Sequence, residues 1–185
     1  MNDKAASIKP GSDGLIFLPY LNGGRSPDND PYARDLYMGL TLDHNISYII
    51  RSIMEGIVYS LKNSFELLKT ITKCEPKAII ASGGGAKGKI FLQMEADVFN
   101  KPIYTTKESE QSCLGAAITG AIGVGYFNSF KEACDKLVKF NEVVIEPISE
   151  NVDVYNEYFN IYKLIYGKNK ELFEEYFKIS KKLQN

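Results

Sequence analysis

The chain has 185 residues, enough for one domain with a sizeable core, and its 44% hydrophobic and 24% charged content is that of a globular protein. A net charge of −1 supplies no basic field for nucleic acid or an anionic membrane surface, and no apolar run reaches the length of a membrane span. Three cysteines without metal-ligand spacing and one histidine exclude a zinc site, and reduced thiols with no signal-peptide pattern in residues 1–10 read as a cytoplasmic protein.

Residues 1–13 are polar and are expected to form a flexible lead-in. Gly14 to Leu21 is a short apolar, extended stretch closed by the turn-forming run Asn22 to Pro27. Two prolines, two aspartates and an asparagine between Pro27 and Arg34 predict an ordered surface loop, and Tyr37 to Thr41 a second extended piece. A long helix is expected from about Asn45 to Lys69. Ile46, Ile49, Ile50, Ile53, Ile57, Leu61, Phe65 and Leu68 recur on one face at helical spacing.

Lys77 to Ala81, Ser82-Gly83-Gly84-Gly85-Ala86-Lys87-Gly88 and Ile90 to Phe99 read as strand, glycine turn and helix. Three glycines remove the Cβ atoms that would keep a flat ring or a phosphate off the backbone, and the following helix points free N–H groups into the same space. That arrangement suits a nucleotide. It is not a Walker loop, because Gly88 is followed by Lys89 and Ile90 with no metal-binding hydroxyl. It is not a Rossmann fingerprint either: after the next strand, Pro102 to Thr106, Lys107 stands where an acid is needed. A glycine turn that only lets a helix pack closely on a sheet would read the same way.

Ser112 to Gly123 is a helix of small residues, expected to lie buried against a neighbour because glycine inside a helix costs stability. A short helix is expected near Phe130 to Lys136, and a strand at Val143 to Ile145. The remainder, Val152 to Leu183, is helical, with Tyr155, Phe159, Tyr162, Ile165, Tyr166, Phe173, Tyr176 and Phe177 on a packing face and a break at Gly167. The pattern is α/β, with few strands for so many amphipathic helices.

From Gly14 to Leu183 these elements resemble the C-terminal domain of the FGGY family of carbohydrate kinases. The carriers are Gly14 to Pro27, Asp30-Pro31-Tyr32-Ala33-Arg34, Tyr37 to Leu42 leading into Ile49 to Gly56, Gly83 to Lys87 with Gln93 and Ala96-Asp97, and Leu114 to Ala117. Departures are Gly24, where the family usually has Glu, Asp35 after the Ala-Arg pair, Tyr48, and Gly88, where a residue such as Ser is common. The resemblance implies an α/β fold of the actin/hexokinase-like (ribonuclease H-like) ATPase type, with residues 14–185 as the C-terminal nucleotide-binding domain, truncated at its N-terminal strands. It implies ATP and Mg²⁺ as cofactors and a small-molecule sugar as substrate. The aspartate general base is implied in an N-terminal domain outside this chain, so the isolated chain is expected to be inactive and no catalytic or metal-binding residue is assigned within it. By the family pattern, adenine lies over Gly83, Gly84, Gly85 and Ala86, and Lys89 either stands near its edge or is a solvated lysine of the helix surface. Gly115 and Ala116 either line the back of that pocket or serve tight helix packing. Arg25 and Arg34 face the interdomain cleft or brace their loop through Asp28, Asp30 or Asp35. Glu55 reads as a structural hydrogen-bond partner and His44 as a helix-entry residue. The Arg-Ser-Pro and Asp-Pro-x-Ala-Arg segments look most like those of members that phosphorylate xylulose, a pentulose, with gluconate kinases carrying a similar loop. The other readings are a stand-alone nucleotide-binding or interaction domain without kinase activity and a ligand-free structural remnant. Unpaired sheet edges predict homo-oligomerisation.

Overall fold

The computed structural model describes residues 2–182. Met1 and Leu183, the ends of two expected segments, lie outside the described residues. Helix α1 (Asn2–Ala6) and a 3-10 turn (Ser12–Gly14) lead into strand β1 (Ile16–Leu18), which pairs antiparallel with β2 (Leu36–Met38), Phe17 opposite Tyr37. Helix α2 (Ile46–Thr72) follows, its N-terminus capped by the Asn45 side chain accepting from Ser47 N–H. Strand β3 (Ile79–Ala81) then leads through a 3-10 turn (Gly85–Lys87) into α3 (Lys89–Phe99). Strand β4 (Ile103–Thr105) returns parallel to β3, with Ile79 opposite Ile103, so β3-turn-α3-β4 is a crossover unit. Helices α4 (Gln111–Gly123), α5 (Phe130–Leu137) and α6 (Ser149–Lys182) complete the chain. Among the described residues, no helix is long and apolar enough to cross a membrane.

The main core joins β1, α2, α3 and α6 through Leu18, Val58, Tyr59, Met94, Tyr155 and Tyr162. A smaller one lies beneath β3 and β4, where Ala81, Leu92, Ala96 and Ile103 meet. Asp97 fastens α3 to α6. Its buried carboxylate accepts from Gln93 Nε2 (2.8 Å), Ile148 N–H (2.8 Å) and Asn151 Nδ2 (2.7 Å), supplying acceptors at the start of α6.

Several expectations from sequence are corrected. Residues 2–13, expected as a flexible lead-in, fold onto the core with Ala5 fully buried. Gly11 N–H and Ser12 Oγ donate to the Glu55 carboxylate at 3.0 and 2.8 Å, and Arg51 Nη1 donates to the carbonyls of Ala5 (3.0 Å) and Ile8. A polar segment is therefore anchored by a buried ion pair on α2, which no measure of local polarity registers.

The face of α2 that enters the core is also not the expected one. Arg51, Met54, Glu55, Val58, Tyr59 and Lys62 are buried, whereas Ile46, Ile57, Leu61 and Leu68 are exposed. The helix carries apolar residues on two sides, and the partners offered by β1 and α6 decide which side turns inward. Lys62 reaches the core by laying its ammonium 4.6 Å from the Phe159 ring centre and donating to Asn156 Oδ1 at 3.0 Å; burial lowers its pKa to about 8.

Helix α6 runs unbroken through Gly167, because the flanking Ile165 and Phe173 are both buried on one continuous face. Helix α4, expected to be buried, contributes only Ile118 to the buried set, and a Cβ at Gly115, Gly120 or Gly123 would meet nothing within 4 Å. The stretch Val143 to Ile145 forms no continuous strand. Ile145 instead bridges Ile103 through a reciprocal pair of backbone bonds, and Phe140 bridges Thr106, so this segment edges β4.

Glu95 on α3 is half-buried, its Oε2 without a hydrogen-bond partner among the described residues, and burial pushes its pKa up to about 7. In the unfolded chain the group titrates near the ordinary glutamate value of about 4.3. Between these values the folded state binds more protons, so stability is fully present at low pH and declines as pH rises toward 7. Glu95→Gln is expected to raise the thermal midpoint at pH 8 and leave it nearly unchanged at pH 4.5. Equal midpoints for both proteins at pH 8 would count against this assignment.

Candidate nucleotide site

The glycine turn lies at the C-terminal ends of the two parallel strands, the position where open α/β sheets generally hold ligands. Gly83 has φ +78°, a left-handed conformation that side chains disfavour, and it turns the chain out of β3. Gly84 has helical angles, and a Cβ at either Gly83 or Gly84 would meet nothing within 4 Å. The backbone there faces open space, which a flat ring can approach. Gly85 has a different reason to be glycine: its Cβ would stand 3.0 Å from the Phe91 ring, so it lets the turn close on α3. Ala86 packs against the core under β3 and β4.

Two adjoining clefts flank this turn. A narrow one, about 100 Å³, is lined by Gly83, Ala86, Thr105, Thr106, Gln111 and Asn141. A wider one, about 660 Å³, takes Lys89, Gln93, Lys107, Leu92 and Val143, and shares Thr105 and Asn141 with the first. Lys89 is the exposed first residue of α3, at its positive end, and its ammonium lines the wider cleft with that of Lys107 and the carboxylate of Glu142. Helix α4 begins at Gln111 beside the narrow cleft, with neither a side-chain cap nor an acidic residue in its first turn. Gln111 Nε2 is tied to Thr106 Oγ1.

Of the residues expected from sequence, Gly83, Gly84, Gly85, Ala86 and Lys89 lie together on the turn and the start of α3, with Gly83 and Ala86 in the narrow cleft and Lys89 in the wider one. Gly115 and Ala116 line neither cleft and sit exposed on α4. Among the described residues, Arg25 and Arg34 form no ion pair. Arg34 Nη1 donates instead to the carbonyls of Pro31 (2.9 Å) and Ala33 (2.7 Å), and its guanidinium lies 5.7 Å from the Phe177 ring centre. The aspartates take other partners: Tyr20 OH bonds Asp28, and Tyr166 OH donates to Asp30 at 2.9 Å. Gly24 is buried against the Tyr20 ring, 3.1 Å from where a Cβ would stand, so a glutamate there would displace Tyr20. Glu55 has the structural role expected of it, and His44 Nδ1 accepts from Thr41 N–H at 3.0 Å in the turn before α2. Thr105, Gln111 and Asn141 were not anticipated. No motif marks them, and only the β4 pairing brings Asn141 to the turn.

The sequence profile described as the FGGY family of carbohydrate kinases, C-terminal domain, matches residues 1–124. A xylulose kinase of Staphylococcus epidermidis is 39% identical over 168 residues, which is 91% of this chain and 34% of that protein. A gluconokinase of Bacillus subtilis is 37% identical over 133 residues, 72% of this chain and 26% of that protein. Among solved structures, ligand-bound xylulose kinase from Lactobacillus acidophilus superposes with a TM-score of 0.85 at 31% identity, covering 94% of this chain and 35% of that one. The chain thus spans about a third of the length of the curated relatives it matches.

Proposed function

Because the chain belongs to the FGGY family of carbohydrate kinases and has the fold of that family's C-terminal domain, we propose that it is the nucleotide-holding part of an ATP-dependent sugar kinase. The observation that carries this reading is the open backbone face of Gly83 and Gly84 at the C-terminal ends of β3 and β4. That cradle fits a nucleotide, because any Cβ there would fill the space a ring needs. Gly83, Gly84, Gly85 and Ala86 would support the purine ring, and Lys89 would stand at its edge. ATP would supply the phosphoryl group, and Mg²⁺ would offset the negative charge of the phosphates. Among the described residues no three His, Cys, Asp or Glu side chains gather to hold a metal ion. The exposed ridge of Ile57, Leu61 and Leu68 on α2 is, in an enzyme of the relatives' length, a surface for the remaining part to pack upon.

For the acceptor we favour D-xylulose, giving xylulose 5-phosphate. Similarity to the xylulose kinase extends over more of the chain than similarity to the gluconokinase. Gluconate remains the second reading on the strength of that same gluconokinase. Comparing phosphorylation of the two sugars by a protein of the relatives' length separates them.

The nucleotide reading is tested on the chain itself. Gly84→Val places its side chain in open space on helical backbone angles, so the fold is expected to stand while the ring's seat is filled. Calorimetric titration with ATP and ADP is expected to show binding to the parent chain that weakens at least tenfold in the variant. Equal binding by both proteins would refute the assignment of the turn.

A further inference from the structure

Asn141 holds a carboxamide in a single orientation. Its Nδ2 lies 2.9 Å from Thr105 Oγ1 and 3.1 Å from the carbonyl oxygen of Thr106. A backbone carbonyl only accepts, so the amide nitrogen must face β4 and the oxygen must face away from it. Its own N–H donates to Thr105 O at 2.9 Å, and the adjacent Phe140 bridges Thr106, so both backbone and side chain are pinned to the end of the strand. Among the described residues no donor reaches Asn141 Oδ1. The residue is exposed and lines both the narrow cleft with Gly83 and the wider cleft with Lys89.

We propose that Asn141 Oδ1 is the acceptor that selects the base. This rests on the nucleotide reading above and extends it to a residue beyond the span matched by the family profile. A pinned carbonyl oxygen attracts the exocyclic amino group of adenine, which donates. It repels the keto oxygen that hypoxanthine carries at the same ring position, because two acceptors then face each other. The other charged groups of the wider cleft, Lys89, Lys107 and the exposed Glu142, sit on flexible stems and impose no such directional preference. Asn141 is therefore a specificity residue. Because Oδ1 is solvated without a ligand, only a modest selectivity is expected.

The test is titration of the 185-residue chain with ATP and inosine triphosphate, for the parent, Asn141→Ala and Thr105→Val, with thermal midpoints measured alongside. The parent is expected to bind ATP about three- to tenfold more tightly than inosine triphosphate, the range of one neutral hydrogen bond. Asn141→Ala should bring that ratio close to one, weakening ATP by the lost acceptor and relieving the acceptor–acceptor repulsion of inosine triphosphate. Thr105→Val keeps the carboxamide but removes one of its anchors, and should give a ratio in between. A parent ratio near one, or an unchanged ratio in Asn141→Ala, overturns the inference while ATP binding leaves the nucleotide reading intact. Absence of any nucleotide binding to the parent overturns that reading and this inference with it.

Discussion

Replacing Glu55 by alanine is expected to lower stability by about 3–5 kcal/mol, the cost of leaving a buried charge uncompensated. Glu55 is 1% exposed and accepts from Arg51 Nε (2.8 Å), Tyr155 OH (3.0 Å), Gly11 N–H and Ser12 Oγ. Burial pushes its pKa up, and the Arg51 guanidinium with the bonds from Ser12 and Gly11 pulls it back. Removing the carboxylate strands Arg51, itself 4% exposed, and frees the segment from Ala5 to Ser12 that the pair anchors. Domain stabilities are typically about 5–15 kcal/mol, so a loss of this size leaves a marginal fold. Urea titration of Glu55→Ala, Arg51→Met and the double variant Arg51→Met/Glu55→Leu checks the origin of the effect. The double variant should be more stable than either single variant, since replacing a whole buried pair by apolar groups is far less costly than removing one partner. A loss below about 1 kcal/mol in Glu55→Ala would show that the network contributes no more than a surface pair.

Gly56→Ala is expected to be nearly as damaging, although glycine-to-alanine in a helix interior ordinarily gains about 1 kcal/mol. A Cβ at Gly56 would stand 2.2 Å from the carbonyl oxygen of Phe17 and 3.1 Å from its carbon, so α2 and β1 would have to separate. Overpacking of this kind costs about 1–3 kcal/mol, and a clash with backbone rather than a movable side chain lies at the upper end. Gly167→Ala is the control. That glycine is also inside a long helix, but its Cβ would meet nothing within 4 Å, so alanine should stabilise by about 0.5–1 kcal/mol. The two substitutions are chemically identical, and opposite shifts of the unfolding midpoint are expected. Shifts of the same sign would overturn the close approach at Gly56.

Gly56 closes the family signature that begins at Ile49, and the contact with Phe17 supplies the physical reason for a glycine there. The signature was legible in sequence, but its cause was not, because Phe17 and Gly56 are 39 residues apart in the chain and meet only when α2 lies across β1.

The element order of the chain was largely determined by local chemistry. Asn45 caps α2, Ser129 caps α5, and the triplet Gly83 to Gly85 separates β3 from α3, each through an interaction within a few residues. The family and the candidate site were legible for the same reason, since the motifs that carry them are contiguous runs. Tertiary structure decided what those runs face. On α2 two apolar ridges competed, and β1 and α6 selected the one bearing Arg51, Glu55 and Lys62, because their polar atoms find partners in Tyr155, Gly11, Ser12 and Asn156. The polar segment at 2–13 became core for the same reason, its donors being matched by a carboxylate more than 40 positions away. Asn141 entered the site because the stretch from Phe140 to Ile145 pairs along β4. Local periodicity records which residues can share a face; which face is buried, and which distant side chains converge, depends on hydrogen-bond partners and close approaches that exist only after the elements have packed.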